Sequence, residues 1–385
     1  MMLEAAYTAP PSVADAVGAL GRTEDVRFSP SNRRLAVASF HRNRIVVFEI
    51  DIASSRGATH IALTGGAELS SPALQRPHGV DFIDDDTVIV TSRGSDVAVF
   101  KVPATTQDMR LHDLLPTARW PADGTTLLNA PGSVAVARVA EDVCDVLICN
   151  NNGHTVTRHL VDRGAGGTVR HSEILLQKHL DVPDGVTVSP DRRWIAVSNH
   201  TTHNVLIYEN RPGLSADTEP DGILRRVYYP HGLRFSADGQ YLFVADAGAP
   251  YVHVYARHPD HWRGVRYPVA TVRIMDDATF RRGQHNIEEG GPKGLDIDAS
   301  SRVLAVTSEC QPLVFFDVPA LLQHASAGSP AGEESLLGVS YELSLMRENR
   351  RKLAEKATEV DVLRNSVSWR ITEPLRRLRS RFRRP

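Results

Sequence analysis

PHGLRFSADGQYLFVADAGAPYVHVY, residues 230–255, reads as three β-strands joined by tight turns. The alternation of Leu233 and Phe235 has a period of two, which puts one face of the first strand in a core. Ser236-Ala-Asp-Gly239 is turn chemistry between antiparallel strands. LFVAD (242–246) is a short apolar strand that ends in a small polar residue, and VHVY (252–255) is a third strand.

The same pattern recurs at TEDVRFSPSNRRLAVAS (23–39), PHGVDFIDDDTVIVTS (77–92), PGSVAVARVAEDVCDVLICN (131–150), PDGVTVSPDRRWIAVSN (183–199) and PKGLDIDASSRVLAVTS (292–308). The matching third strands are IVVFEI, VAVFKV, TVTRHL, VLIYEN, VHVYAR and LVFFDV. The opening triplets stand 47 to 62 residues apart, which is the spacing of propeller blades rather than solenoid coils. The expected fold is therefore all-β: a six-bladed β-propeller over 23–322. THIALT (59–64), TVRHSEILL (168–176), GILRRVYY (222–229) and ATVRIM (270–275) can supply outer fourth strands. The last repeat has no such stretch, which leaves LEAAYTA within the segment 1–22 to close the ring. The longest gap, between His231 and Lys293, holds an insertion around 276–291.

Aligning the triplets on their second position gives Glu24, His78, Gly132, Asp184, His231 and Lys293. In a propeller the innermost strands run along the central channel, so these residues meet at one mouth. Glu24, His78, Asp184 and His231 form a candidate site for one divalent cation. Imidazole with carboxylate suits zinc or manganese, and a carboxylate and carbonyl set suits calcium. Lys293 is a cation in the same ring; it counts against a metal and can instead pair with Glu24 or Asp184. A second ring follows the second strands: Ser39, Ser92, Asn150, Asn199, Asp246 and Ser308, with Arg93, Asn151, His200 and Glu309 alongside. Antiparallel geometry brings this ring to the same face. His78, His231, Lys293, Asn150, Asn199, Arg93 and Glu309 are thus candidate ligand-binding residues, and Asp246 and His200 candidate acid/base residues. The competing reading is turn chemistry, in which these polar side chains only satisfy backbone groups.

The segment 230–255, with its SADG turn, LFVAD and VHVY, resembles the lactonase, gluconolactonase and senescence-marker propellers. In that family a Glu before the first blade strand and Asn or Asp in later triplets bind the metal. Glu24 and Asp184 match that pattern; His78 and His231 depart from it. The resemblance implies a metal-dependent hydrolase of esters or lactones. A propeller that only binds a glycan, a small molecule or a protein is the other reading, since the fold serves both. No Ser–His–Asp order or other nucleophile motif is present.

The chain of 385 residues carries a formal charge of −2, which argues against nucleic acid as a partner. Residues 366–385 hold seven Arg and one Glu, a local +6 on a body of −8. Three cysteines without a CxxC, and an N-terminus without a basic or apolar leader, lead to the expectation of a cytoplasmic protein. After a linker at 323–335, residues 336–367 repeat apolar positions Val339, Leu343, Met346, Leu353, Ala357, Val360 and Val367 at helical spacing, with Arg350 and Arg364 as charged interruptions. They suggest a short coiled coil and a homo-oligomer. In 368–385, Ile371, Leu375, Leu378 and Phe382 form one apolar stripe, with Arg376 and Arg377 beside it and Trp369 ahead. Such a helix suits an anionic membrane surface, and a partner protein is the alternative. Ser366 to Leu378, SVSWRITEPLRRL, also resembles a short module at the ends of bacterial glycosyltransferases and methyltransferases of surface polysaccharide. That likeness implies a peripheral place at the inner face of the cytoplasmic membrane, beside polysaccharide-biosynthesis enzymes.

Overall fold

The computed structural model describes residues 4–327 apart from 56–57, 95, 124–125, 139–140 and 287. Six antiparallel-cored sheets follow one another along the chain, one for each sequence repeat. Their innermost strands are Thr23–Phe28, Pro77–Asp84, Pro131–Arg138, Pro183–Val188, Pro230–Phe235 and Pro292–Ile297. Each innermost strand pairs with the next strand in sequence, and that strand pairs with the third. Blade three is built of four consecutive strands outward; blade two takes Ala118–Trp120 as its fourth, and blade five takes Ala270–Arg273. Blade one is wider, with its long hairpin Arg44–Ser55 and Ala58–Ser70 joined by Leu111–Asp113 in parallel. Blade four gains Gly264–Arg266 at its outer edge.

Blade six is completed from the N-terminus. Glu4–Ala5 lies antiparallel to Val314–Asp317, with Glu4 opposite Phe316 and Ala5 opposite Phe315. Helix α1 (Pro11–Gly18) follows and buries Val13, Ala16 and Val17 in the same cluster as Phe28, Val303 and Phe315. The ring is thus shut by residues from both ends of the propeller.

Period-two alternation does more here than bury one strand face. In Tyr241–Asp246, Leu242 and Val244 pack with Trp194 and Ile207, while Phe243 and Ala245 pack with Leu295 and Phe316. Leu233 and Phe235 share one buried cluster as their spacing implies, and in the second strand both faces are buried against neighbouring blades.

All six innermost strands carry a register irregularity at the opening triplet. A bulge of this kind re-aims a side chain, and here it does so at the same place in each blade. The glycine that follows lets inner strands touch: a Cβ on Gly79 would lie 2.6 Å from the Gly132 carbonyl oxygen, and one on Gly232 2.5 Å from that of Lys293. Farther along the inner strands, aspartates stitch blade to blade. Phe28 N–H donates to Asp296 Oδ2 (2.7 Å), Val80 N–H to Asp25 Oδ2 (3.1 Å) and Val136 N–H to Asp81 Oδ2 (2.7 Å). Arg27 pairs with Asp25 at 2.9 Å and Arg234 with Asp296 at 2.7 Å.

Helix α2 (Asp277–Gly283) lies in the insertion before blade six, and helix α3 (Val318–Ala327) follows its last strand. Residues 323–327, expected to begin the linker, belong to α3. No described helix is long and apolar enough to cross a membrane. The expectations for 328–385, including the coiled coil and Trp369, Ile371, Leu375, Arg376, Arg377, Leu378 and Phe382, lie outside the described residues.

Candidate functional site at the channel mouth

The triplet bulges deliver Glu24, His78, Asp184, His231 and Lys293 to one cluster, each no more than 2% exposed. Glu24 Oε2 lies 3.4 Å from His231 Nε2, 3.8 Å from His78 Nε2 and 3.3 Å from Lys293 Nζ. Asp184 Oδ2 lies 3.2 Å from His231 Nε2 and 3.6 Å from His200 Nδ1. Asp184 Oδ1 faces His78 Nε2 at 3.6 Å and accepts from Arg93 (3.2 Å) and Asn151 Nδ2 (2.7 Å). The two ring histidines stack, with centroids 5.2 Å apart and planes 23° from parallel.

A second set of residues comes from just past the second strands. Arg93, Asn151 and His200 each immediately follow a strand-closing residue, and each reaches Asp184. Glu309, in the equivalent place in blade six, pairs with Arg22 at 3.3 Å and with His285 at 3.4 Å. The strand-closing residues themselves turn away. Asn150 Oδ1 accepts from Asn129 N–H (2.8 Å), and Asn199 Oδ1 from Asp181 N–H (2.6 Å). Asp246 accepts from the N–H groups of Tyr228, Tyr229 and Gly248 and lies 3.0 Å from His253 Nε2. These three close turns. Asn150 and Asn199 are not brought among the binding residues, and Asp246 is not placed as an acid or base. The physical reason is that a strand end leaves backbone N–H groups that need an acceptor.

Two site residues were not singled out from sequence. Arg22 precedes the first triplet and pairs with Glu24 Oε1. Glu289, from the insertion before blade six, bonds Lys293 Nζ at 2.7 Å and faces Arg22 at 3.4 Å. The signal for Arg22 was its place one residue before a ring triplet. The signal for Glu289 was an acidic pair, Glu288-Glu289, at the end of an insertion that runs straight into Pro292-Lys293.

The electrostatics sort the cluster into charged and neutral members. Burial opposes ionisation of Glu24, but Lys293, His231, His78 and Arg22 outweigh it and hold the carboxyl well below its usual range. Asp184 is likewise held down against burial by His231, Arg93, His78 and His200. His78 is pushed down to about 3 by burial, with Arg93 adding to it. Burial also lowers His200. The site therefore offers ionised carboxylates and at least one neutral imidazole, the states in which these groups ligate metals.

Among the described residues, five buried atoms of the cluster's titratable side chains find no hydrogen-bond partner: Glu24 Oε2, His78 Nε2, His231 Nε2, Asp184 Oδ2 and His200 Nδ1. Ligand atoms of Glu24, His78 and His231 lie within 4.8 Å of one another, and so do those of Asp184, His200 and Glu289. On donor chemistry, residues of this kind fit a divalent cation. Lys293 is the opposing feature, since its ammonium already faces Glu24.

No family model and no curated protein sequence matches the chain. Among solved structures, one similar chain is a functionally unknown protein from Desulfotomaculum acetoxidans DSM 771. It is 15% identical, with 78% of this chain and 86% of that one covered and a TM-score of 0.45.

Proposed function

We propose that this propeller is a binding module organised around one divalent cation at the channel mouth, held by Glu24, His78, Asp184 and His231. The observation that carries the reading is the set of five buried polar atoms without hydrogen bonds, strung at 3.2 to 3.8 Å from one residue to the next. These atoms face one another within ion-pair range but without well-formed hydrogen bonds, and a buried group lacking one costs about 1–3 kcal/mol, which a ligand that binds them together would offset. Two imidazoles and two carboxylates favour zinc or manganese over calcium. The natural ligand in this reading is a glycan or another small, oxygen-rich molecule.

The C-terminal tail supplies the setting. In this reading residues 336–367 oligomerise the protein. Residues 368–385 hold it on the anionic inner face of the cytoplasmic membrane, beside enzymes of surface-polysaccharide biosynthesis. The support is in the sequence: the local +6, the apolar stripe from Ile371 to Phe382, and the SVSWRITEPLRRL stretch.

Hydrolysis of an ester or lactone is the second reading. It is favoured by His200, whose lowered pKa and bare Nδ1, 3.6 Å from Asp184, suit a proton acceptor. A bound divalent cation would supply Lewis acidity there.

Metal content by mass spectrometry, on wild type beside a Glu24→Gln/Asp184→Asn variant, tests the cation. One divalent ion per chain, lost in the variant, supports it. No metal in either protein after dialysis against calcium, zinc and manganese sinks it. A lactone and ester panel on the loaded protein then separates binding from hydrolysis.

A further inference from the structure

Lys293 is the chain's own cation inside the site, and it has two carboxylates to choose from. A buried ammonium must be paired, because its desolvation is costly. Its Nζ stands 2.7 Å from Glu289 Oε2, with a hydrogen bond, and 3.3 Å from Glu24 Oε2, without one. Glu24 Oε1 is already taken by Arg22. Whichever carboxylate wins Lys293 decides whether Glu24 Oε2 is neutralised from within or remains open to an external cation.

The segment that carries Glu289 is tied down on both sides. Asp276 caps α2 by accepting from Thr279 N–H at 2.6 Å. Glu289 N–H donates to Asn286 Oδ1 at 2.8 Å. Directly after it, Gly290 and Gly291 N–H both donate to the Ala247 carbonyl at 2.8 Å. Gly291 has no room for a side chain, since a Cβ there would run into the carbonyl oxygens of Ala249 and Asp246. The insertion therefore sets the Glu289 carboxylate over Lys293 as a fixed feature of blade six, anchored to blade five.

We propose that Glu289 is a positioning residue that draws the Lys293 ammonium off Glu24 and so keeps the channel-mouth site able to take a divalent cation. The inference rests on the cation reading given above and adds a role for the insertion at 276–291. Burial works against the Glu289 charge, yet Lys293 holds its pKa down to about 2, so the latch stays ionised over the whole working range of pH. The competing role for Glu289 is direct ligation together with Asp184 and His200, whose ligand atoms lie within 4.8 Å.

The test is manganese binding to the full chain, read by calorimetry and by the loss of the free-ion electron paramagnetic signal. It compares wild type, Glu289→Gln, Lys293→Met and the double variant, with thermal unfolding of each metal-free protein run alongside. Glu289→Gln should weaken binding at least about tenfold, the range seen when a group behind a ligand is lost. Lys293→Met should tighten it. The double variant should return to the Lys293→Met value, because Glu289 has no task once the ammonium is gone. A double variant as weak as Glu289→Gln would make Glu289 a ligand and overturn the proposal. So would a Glu289→Gln protein that binds like wild type, or a folded Lys293→Met protein that binds no tighter. Absence of binding in wild type would overturn the cation reading itself, and is distinguishable because it needs no variant.

Discussion

Asn151 stands in the space that Gly132 leaves in the ring. Blade three has no ring side chain of its own, and a Cβ on Gly132 would collide with Asn151 Oδ1. From that position Asn151 Nδ2 donates to Asp184 Oδ1 at 2.7 Å, and its Oδ1 is buried without a partner. A Gly132→Ala substitution should therefore push Asn151 away from Asp184 while leaving the blade's core strands in place. The expected result is a loss of divalent-cation affinity of about tenfold, the usual scale for disturbing a group behind a ligand, with a smaller fall in thermal midpoint. Asn151→Ala should reproduce the affinity loss. Titration of both variants with manganese, beside thermal melts, checks the claim; unchanged affinity in both would remove Asn151 from the site.

His78 makes the metal-free protein sensitive to mild acid. Its folded pKa is depressed by burial to about 3, from the ordinary histidine value of about 6.5. Between those values the unfolded chain binds a proton that the folded one does not. Stability from this group is therefore fully present above pH 6.5 and is lost progressively as pH falls toward 3. Below pH 6 the slope approaches about 1.4 kcal/mol per pH unit. Asp25 works in the opposite sense: burial raises its carboxyl to about 6, so acidification from pH 6 toward 4 relieves a buried charge and stabilises the fold. The wild-type profile sums these two with the other buried groups that burial shifts, His159 and His200 downward and Asp81 upward. In His78→Gln this group's share of the loss disappears, while those of the buried His159, pushed down to about 4, and His200 remain, so from pH 6 to 5 the variant should lose less stability than wild type. Urea unfolding at pH 7, 6 and 5 with a chelator present measures this, and parallel profiles for the two proteins would refute it.

The propeller was legible because its signals are local and repeated. A turn such as Ser236-Ala-Asp-Gly239 and a strand such as Leu242–Asp246 declare themselves within a few residues, and six copies at blade spacing reinforce one another. The ring was legible for the same reason: Glu24, His78, Asp184, His231 and Lys293 share one position in the repeat. Which polar residues serve the site and which serve the backbone was harder to see. Asn150 and Asn151 are adjacent and alike, yet one caps Asn129 N–H and the other reaches Asp184; the difference is one step along a turn. Glu289 was signalled only weakly, by an acidic pair in an insertion with no counterpart in other repeats, and its approach to Lys293 depends on the anchorage at Ala247.

The tail proposal makes an electrostatic prediction. A local charge of +6 should draw residues 366–385 to anionic lipid, and screening should weaken that attraction as salt rises. Full-length protein should pellet with phosphatidylserine-containing vesicles at low salt and much less at about 0.5 M, where the Debye length is only a few ångströms. The chain ending at 365 should stay in the supernatant and keep the thermal midpoint of the propeller. Equal pelleting of the two chains would sink the membrane proposal.

Among the described residues, few backbone hydrogen bonds close the ring, and only Glu4 and Ala5 pair with the outer edge of blade six, opposite Phe316 and Phe315. Tyr7 then sets its ring edge-on to Phe315 at 5.5 Å, and Tyr7–Thr8 runs parallel to Ile61–Ala62 of blade one. The segment thus touches the last blade and the first within five residues. Removing residues 1–8 would expose the edge of Val314–Asp317 and leave the α1 side chains Val13 and Val17 as the main cover of the joint. An unpaired edge and an uncovered aromatic favour association with a second copy. The truncated chain should melt lower than wild type by an amount that a single Tyr7→Ala substitution reproduces only in part, and it should elute as larger species at high concentration. Native-state hydrogen exchange locates the effect: amides of Val314–Asp317 should lose protection while those of Tyr241–Asp246, in the adjoining blade five, keep theirs. Uniform loss across both strands would mean that the N-terminal strand supports the whole ring rather than its joint.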